Sequence, residues 1–288
     1  MKHDQASHTA RFVSNGIYWV SQHRRLGVEV PEGLAGYVAE MTRCQEWSGG
    51  IFGRNLARRM LLLKAGIMQT CAIPGVYLHQ VLRKRYIERL AREALNGTIR
   101  QMVVIGAGFD TLSLRLSEDH PECTIIEIDH PATQQAKRSL LEHFELPQGR
   151  CHFLAADLAD EALSSALARC PDHDPDQPTL FIAEGLTMYL QESSMRELLD
   201  GIAGQATGSA LVFTYMEETS SGCYDFQNAR RITSWWLALR HERFTWGLKP
   251  DDLPGFLAES GFRIDEHRTP EELRIELLTE RNRDAKLT

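Results

Sequence analysis

The sequence predicts an α/β protein built on a mostly parallel, seven-stranded β-sheet. Two apolar, β-branched runs indicate the sheet: Met102–Ile105 is followed directly by a glycine turn, and Thr124–Ile128 ends in an acid. Such runs are typical of parallel strands, which are buried on both faces. From residue 98 onward, apolar runs alternate with helical stretches, as the crossovers between parallel strands require.

Residues 1–98 precede these strands and are predicted to form a helical cap. The clearest helical periodicity lies between Leu78 and Leu95, where apolar side chains recur on one face. An Asn-Gly pair follows, and both residue types can take the left-handed conformation that ends a helix. The predicted division is therefore a cap over 1–98 and a sheet-bearing core over 99–288.

The core is predicted to consist of strands, the helices between them and one insertion. Residues of about 219–248 separate the fifth strand from the last two and are predicted to form an inserted helical lid. The principal helices are predicted over Ala132–Phe144, Glu161–Arg169 and Glu192–Ala206. The strands are predicted at Met102–Ile105, Thr124–Ile128, Cys151–Ala155, Thr179–Ala183, Ala210–Tyr215, Phe262–His267 and Leu273–Leu278.

Two glycines follow the first strand, and an acid ends the second. Gly106 and Gly108 lack a Cβ, so the backbone can come close to a ligand at this turn. Asp129 would lie at the carboxyl end of its strand, where a carboxylate can accept hydrogen bonds from both hydroxyls of a ribose. Together, the glycine turn and the acid-ended strand predict a site for an adenosine-containing cofactor.

The residues of the turn favour S-adenosylmethionine over a dinucleotide. In a dinucleotide site a third glycine allows close helix packing, and the helix N-terminus faces a pyrophosphate. Here the third position is Thr111, and Asp110 stands at the start of the following helix. A carboxylate there would repel a pyrophosphate, but it suits a ligand that carries ammonium and sulfonium charges and no phosphate. A nicotinamide cofactor remains the alternative.

Further polar residues follow later strands, at the edge where open α/β sheets bind ligands. Asp157 ends the third strand, where a carboxylate can accept the adenine amino group, and Leu158 beside it could line the adenine face. Glu184 follows the apolar fourth strand, and a charge at that position is costly to bury without a partner or a ligand. All three residues are predicted to bind the cofactor.

Three blocks of the sequence resemble the leucine carboxyl methyltransferase family. They are VVIGAGFDTLSLRL, EIDHP and FIAEGLTMYL, and the resemblance runs from about residue 81 to the C-terminus. The family includes protein phosphatase methyltransferases, bacterial S-adenosylmethionine-dependent methyltransferases and polyketide carboxyl O-methyltransferases. The resemblance implies a class I methyltransferase fold, which is Rossmann-like, and S-adenosylmethionine as the cofactor.

The resemblance also implies roles for individual side chains. Family members carry an arginine in the helix before the first strand that binds the donor's carboxylate, a task that suits a bidentate guanidinium. This sequence offers Arg85, which an aromatic residue follows, and Arg83 as the second choice. The family pattern supports a donor-side role for Glu184 and places Tyr189 near the reacting centre, so that Tyr189 is the predicted catalytic residue.

The acceptor site is predicted outside these donor motifs. The lid is unusually rich in aromatic side chains, which could line an apolar pocket, and an arginine among them could steer an acidic group. The alternative is that these aromatic residues pack the lid onto the sheet. The candidate acceptor-binding residues are Tyr215, at the end of the fifth strand, and Trp235, Trp236, Arg240 and Trp246 in the lid.

Composition narrows the class of protein. Lys and Arg total 32 against 39 acidic residues, a formal charge of −7, which argues against a nucleic-acid groove. The six cysteines are scattered without a Cys-x-x-Cys pair, so neither a metal site nor a disulfide framework is expected. A polar N-terminus and the interrupted apolar stretch Met60–Leu78 predict no secretory signal and no membrane span, and hence a cytoplasmic protein.

These features together predict an S-adenosylmethionine-dependent O-methyltransferase. A carboxylate on a small metabolite or at a peptide C-terminus is the preferred acceptor, because it is ionised near neutral pH and needs no general base. A hydroxyl acceptor would need a base. An NAD-dependent oxidoreductase and a cofactor sensor without turnover are the remaining alternatives.

Overall fold

The computed structural model describes residues 8–23, 28–31, 33–45, 51–142, 150–220, 223–224 and 244–279. Helices make up most of the described part that precedes the first strand. Their bounds are His8–Gln22 (α1), Leu34–Gln45 (α2), Ile51–Ile67 (α3), Met68–Ala72 (a π-helical turn) and Val76–Asn96 (α4). Neither these helices nor the later ones that the structure describes have the length and hydropathy needed to cross a membrane.

α1 packs closely against α4 because a glycine lies at the contact. A Cβ on Gly16 would lie 2.0 Å from Cδ1 of Tyr77, so no larger residue fits beside this ring. Trp19 and Tyr77 are buried in a cluster that also contains apolar side chains of α2 and α3. Further along α4, Ile87 and Ala91 pack against the sheet. α4 therefore packs against both the N-terminal helices and the sheet.

Five parallel strands form the sheet, in the order β3-β2-β1-β4-β5. Their bounds are Gln101–Ile105 (β1), Thr124–Asp129 (β2), Arg150–Ala155 (β3), Thr179–Ala183 (β4) and Ala210–Phe213 (β5). β1 lies in the centre, with Gln101 opposite Thr124 on one side and Thr179 on the other. Every residue of β1 and β4 is buried, which explains why both strands are almost continuous apolar runs.

Helices connect the strands and cover both faces of the sheet. Their bounds are Leu112–Asp119 (α5), Pro131–Leu141 (α6), Leu163–Leu167 (α7), Glu192–Ala203 (α8), Leu253–Glu259 (α9) and Pro270–Leu277 (α10), with a 3-10 turn at Thr187–Tyr189. On one face, Val103 and Phe181 pack among apolar residues of α7, α8 and α9. On the other face, Met102 and Val104 pack against α4 and α5. Alternate residues of one strand thus enter different layers.

The prediction of seven strands is wrong, because the sheet has five. The first five predicted strands are present, each within two residues of its predicted ends. Phe262–His267 forms no strand in the part of the chain that the structure describes, and Leu273–Leu278 falls largely in α10. α10 begins with a capping box, in which Thr269 and Glu272 bond each other's backbone N–H, and with Pro270 at the start of the helix. Both features favour a helix over a strand.

A short antiparallel hairpin lies apart from the parallel sheet. Its strands are Glu218–Ser220 (β6) and Cys223–Tyr224 (β7). The hairpin falls at the start of the region predicted as an inserted lid. The larger part of that region, 225–243, lies outside the described residues, so the lid remains a prediction.

Candidate functional site

The connections of the sheet diverge at the crevice between β1 and β4. The chain moves from β1 outward through β2 to β3, and it returns on the other side of β1 through β4 and β5. Ligands of open α/β sheets bind in such a crevice, beyond the carboxyl ends of the strands. A cavity of about 1330 Å³ lies there, and its lining includes Gly106, Asp129 and Glu184. We call it the strand-end cavity.

The glycine turn after β1 lines this cavity in a conformation that requires glycine. Gly106 and Gly108 have φ of +69° and +56°, where a side chain would be strained. A Cβ on Gly106 would also lie 3.0 Å from Cδ1 of Leu186, and one on Gly108 would lie 3.0 Å from Cβ of Ala10. The two glycines therefore let the turn pass close to both the segment after β4 and α1.

Asp129 is held at the end of β2 by backbone hydrogen bonds. Its Oδ2 accepts from the Gly108 N–H at 2.5 Å, and its Oδ1 accepts from the His130 N–H at 2.6 Å. Burial raises the pKa of Asp129, and the two N–H donors oppose that rise. The carboxylate is therefore fixed in orientation beside the glycine turn, with lone pairs left for further donors.

Asp157 and Leu158 line the same cavity beyond β3. Asp157 accepts a hydrogen bond from the Ala159 N–H at 3.0 Å, and its Oδ2 lies 3.5 Å from Nε2 of His130. Leu158 is partly buried against the core. The structure thus places both predicted adenine-binding residues on one wall, near Asp129.

Four alternating charges form a ladder across the crevice between β1 and β4. Nε of Arg83 donates to Oε1 of Glu184 at 2.9 Å, and Nζ of Lys84 lies 3.2 Å from Oε2 of the same carboxylate. Nζ of Lys84 also lies 2.6 Å from Oδ2 of Asp110. The side chain of Lys84 is only 7% exposed, and those of Asp110 and Glu184 are 13% and 8% exposed. We call these four residues the charge ladder.

Neighbouring charges keep two residues of the ladder, Asp110 and Lys84, ionised despite their burial. Burial opposes ionisation of Asp110, but Lys84 and Arg115 together hold the pKa of that carboxyl well below its usual range. Burial would likewise lower the pKa of Lys84, and the two acids raise it instead. Asp110 also accepts hydrogen bonds from the N–H groups of Thr111 and Leu112, at the start of α5. The ladder thus links α4, the glycine turn and the end of β4 through charged contacts.

Arg83 and Arg85 point to opposite sides of α4. Residues two apart on a helix are rotated by about 200° relative to each other, so only one of the pair can face the crevice. Arg83 lines the strand-end cavity. Arg85 instead donates to the carbonyl of Leu277 at 3.2 Å and lies 3.6 Å from Glu29. The structure therefore brings the second choice, Arg83, to the other predicted donor-side residues, and it does not bring Arg85.

Lys84 was missed by reasoning from sequence, because three consecutive basic residues are typical of a solvated helix face. A signal was nevertheless present. Val81 and Ile87 lie three residues before and after Lys84 on α4, and both are buried. A lysine between apolar neighbours at this spacing lies on the buried face of its helix and requires partners there.

A second cavity of about 980 Å³ lies between α4, β5 and the segment that follows α9. We call it the β5 cavity. The hydroxyl of Tyr215 lies 3.1 Å from Nε2 of His267 on its wall. Burial, followed by the charge of Glu217, raises the pKa of Tyr215 to about 12, so that its hydroxyl stays protonated at neutral pH.

The two cavities share part of their lining. Arg83 is the one charged side chain among the described residues that lines both of them, and Gly185 and Tyr189 also line both. Phe244 contacts Tyr189, with 5.6 Å between the ring centroids, and also lines the β5 cavity. The described residues common to both linings are Thr9, Val13, Arg83, Gly185 and Tyr189.

The lid aromatic residues are only partly covered by the structure. Trp246 is 3% exposed and packs on Phe256, with 5.4 Å between the ring centroids, and it belongs to neither lining. Its placement matches the packing alternative. Trp235, Trp236 and Arg240 lie outside the described residues, so their predicted acceptor role remains a prediction.

Comparison with known proteins decides the family. The sequence model of the leucine carboxyl methyltransferase family matches residues 53–203, which is more than half of the chain. The chain belongs to the leucine carboxyl methyltransferase family. The resemblance carried by the three sequence blocks is thereby confirmed.

Individual relatives match the chain over part of its length. A Streptomyces avermitilis protein named as an S-adenosyl-L-methionine-dependent methyltransferase is 34% identical over 195 residues, which are 65% of this chain and 63% of that protein. A Bacillus subtilis protein with the same description is 25% identical over 224 residues, 77% of this chain and 73% of that protein. The chain thus spans less than two thirds of the length of the Streptomyces relative.

Two solved structures share the fold. A Thermobifida fusca protein described as a methyltransferase superposes with a TM-score of 0.52 at 14% identity, over 88% of this chain and 96% of that one. A DUF574 family protein from Streptomyces avermitilis superposes with a TM-score of 0.50 at 14% identity, over 76% and 81% of the two chains. The chain therefore has the class I methyltransferase fold, with five strands in its parallel sheet.

Proposed function

We propose that this protein is an S-adenosylmethionine-dependent methyltransferase that transfers the methyl group to a carboxylate oxygen. Membership of the leucine carboxyl methyltransferase family and the class I fold support the activity. The strand-end cavity supports the binding mode, because its lining combines the glycine turn, an acid at the end of β2 and a half-buried arginine. Because the chain spans less than two thirds of the Streptomyces relative, both the methyltransferase activity and the carboxylate acceptor are proposals.

The donor would lie along the ends of the strands. Asp129 would accept the ribose hydroxyls, and Gly106 and Gly108 would flank the methionine part, since backbone without Cβ atoms permits the closest approach. The guanidinium of Arg83 would bind the donor's carboxylate, and Glu184 would face its ammonium group. Asp157 and Leu158 would contact the adenine, as the sequence predicted.

The proposal of a carboxylate acceptor is supported by the residues that line both cavities. The methyl group must pass between donor and acceptor where the cavities meet. The five described residues there include no histidine, lysine or acid that could act as a general base at neutral pH. A hydroxyl acceptor would need such a base, whereas a carboxylate is already ionised.

The reaction would be an in-line displacement. A carboxylate oxygen attacks the methyl carbon, the bond between that carbon and sulfur breaks, and its electron pair stays on sulfur. The products are a methyl ester and S-adenosylhomocysteine, and no proton has to move. The protein would therefore act by alignment and exclusion of water, which can contribute about 7–11 kcal/mol through effective molarity. Tyr189, on the shared lining, would contact the reacting groups.

Thermal unfolding with added ligands tests the donor. S-Adenosylmethionine or S-adenosylhomocysteine at about a hundredfold excess over its dissociation constant should stabilise the fold by about 2.7 kcal/mol. For a protein of this size that is a shift of roughly 4–5 °C. NAD(H) should give no shift, since Asp110 repels a pyrophosphate. A shift with NAD(H) alone would reject the methyltransferase and favour an oxidoreductase.

The stability of the product towards alkali tests the acceptor. Methyl-labelled S-adenosylmethionine is incubated with the protein and a panel of small carboxylic acids and peptides, each paired with its amide. Methyl esters release labelled methanol in mild alkali, whereas methyl ethers do not. Release from acids alone is the expected outcome. An alkali-stable product would instead indicate a hydroxyl acceptor and a base such as His267.

A further inference from the structure

Lys84 is buried, which is uncommon for a lysine without charged partners. Its ammonium group lies between two carboxylates from distant parts of the chain, 2.6 Å from Asp110 Oδ2 and 3.2 Å from Glu184 Oε2. Asp110 closes the glycine turn after β1, and Glu184 is the first residue after β4. Lys84 thus joins the two segments that border the crevice, and it also lines the strand-end cavity.

We propose that Lys84 is a positioning residue for donor binding, which holds Asp110 and Glu184 together so that the crevice accepts the donor's ammonium group in a fixed place. This inference rests on the proposed function. Without Lys84, two buried acids would face each other across the crevice with no cation between them, which disfavours the state in which both are charged.

The surroundings decide which acid would take up the proton. Asp110 retains two backbone N–H donors from the start of α5 and the charge of Arg115, so it stays ionised. Of its two cationic partners among the described residues, Glu184 would retain Arg83, so we expect the proton on Glu184 in the variant without Lys84. The charged groups that face the pair from the surrounding elements are Arg83 and Lys84 on α4, Arg115 on α5, Glu127 on β2 and Lys137 on α6.

A pH series of donor affinity tests the inference. Calorimetry with S-adenosylhomocysteine compares the wild type, Lys84→Met and Lys84→Arg between about pH 6 and pH 8.5. The wild type and Lys84→Arg should bind with nearly constant affinity. In Lys84→Met the dissociation constant should increase as the pH falls, by up to about tenfold per pH unit, because protonated Glu184 no longer attracts the donor's ammonium group.

Two controls separate positioning from a general loss of structure. Methylthioadenosine lacks the amino-acid end of the donor, so its affinity should show no pH step in any variant. The double variant Lys84→Met/Glu184→Gln lacks the group that titrates, so the step should vanish there. A uniform loss of affinity with a flat pH profile in Lys84→Met, or an unchanged affinity, would overturn the inference.

Unfolding without ligand keeps this inference distinct from the proposed function. In Lys84→Met, the native state should bind a proton on Glu184 that the unfolded state releases at neutral pH, so its melting temperature should fall relative to wild type as the pH rises from about 6 to 8. A flat difference would overturn the role of Lys84. Failure of the wild type to bind S-adenosylhomocysteine would instead reject the proposed donor, whatever the melting curves show.

Discussion

The carboxylate of Asp129 accepts hydrogen bonds from two backbone N–H groups, and it would also accept them from the ribose of the proposed donor. Replacing Asp129 with alanine should weaken binding of S-adenosylhomocysteine by about 1–3 kcal/mol, which is typical of lost hydrogen bonds to a charged acceptor. Calorimetry on the folded variant measures the change. Asp251→Ala, in the exposed turn before α9, is the matched control and should bind as the wild type does. An unchanged affinity in Asp129→Ala would remove this residue from the site.

Arg83 and Arg85 offer a matched pair on one helix. Arg83→Met should weaken binding of S-adenosylhomocysteine by about 1.5–3 kcal/mol, because a charged hydrogen-bond donor to the ligand's carboxylate is lost. Arg85→Met should cause no comparable loss, since Arg85 contacts Leu277 and Glu29 away from the cavity. Calorimetry on both variants decides the matter. The reverse order of effects would mean that Arg85, and not Arg83, binds the donor.

Side chains of the site differ in how far the sequence alone could predict them. Gly106, Gly108 and Asp129 follow directly from the ends of two apolar runs, because parallel strands align these ends at one edge. The role of Lys84 depends instead on partners 26 and 100 residues further along the chain. The spacing of Val81 and Ile87 could have indicated a buried lysine, but no local pattern specifies its partners, so these contacts are seen only in the folded structure.

At the scale of the element, the glycine turn is constrained both by its backbone conformation and by the residues that pack against it. Gly106→Ala places a methyl group 3.0 Å from Leu186 at a φ of +69°. We expect the variant to lose most of its affinity for S-adenosylhomocysteine and about 1–2 kcal/mol of stability, which calorimetry and thermal unfolding measure.

Gly255→Ala is the control for the turn, because a Cβ on Gly255 in α9 meets nothing within 4 Å. That variant should keep its affinity and gain stability slightly, as alanine favours a helix. Wild-type affinity in Gly106→Ala would show that the donor does not approach this turn.

α6 is tied to β2 by a fully buried ion pair. Nζ of Lys137 lies 2.6 Å from Glu127 Oε2, neither side chain is exposed, and Lys137 also donates to the carbonyl of Asp110 in the glycine turn. Lys137→Met should cost about 3–5 kcal/mol of unfolding free energy, because it leaves a buried carboxylate unpaired. Chemical denaturation measures this loss.

The unfolding free energy of Lys137→Met should also depend on pH, in a defined direction. Burial already raises the pKa of Glu127, and removing Lys137 would raise it further, so the native state would bind a proton that the unfolded state releases. The unfolding free energy of Lys137→Met should therefore fall as the pH rises from about 5 to 8. The double variant Lys137→Met/Glu127→Met removes both charges and should abolish this dependence. A slope that persists in the double variant would assign the proton to another group.

Helices and strands could be predicted from the sequence where their burial produces a pattern with one interpretation. β1 and β4 are buried along their whole length, so their apolar runs identify them directly. Leu273–Leu278 is a short mixed run, whose periodicity fits a strand or a helix equally well. The deciding signal was the capping box of Thr269 and Glu272 just before it, which fixes the start of α10.

At the scale of the whole molecule, the N-terminal helices help to enclose the strand-end cavity. Thr9, Ala10 and Val13 of α1 line it together with Leu34 and Val38 of α2. The contact between Gly16 and Tyr77 fixes α1 on α4, the helix that also carries Arg83 and Lys84. A donor bound at the ends of β1 and β2 would therefore lie beneath α1, and binding should couple the helical cluster to the sheet.

That coupling predicts where the donor changes local stability. Amide hydrogens of α1 and α2 should exchange more slowly when S-adenosylhomocysteine is bound, since local opening of these helices would have to expose or release the ligand. Hydrogen exchange measured by mass spectrometry, with and without the ligand, reports this effect. α10 serves as the internal reference, because its residues line the β5 cavity and not the strand-end cavity. Equal protection of α1 and α10 would indicate a general stabilisation, and no protection of α1 would mean that the donor binds without contact to the N-terminal helices.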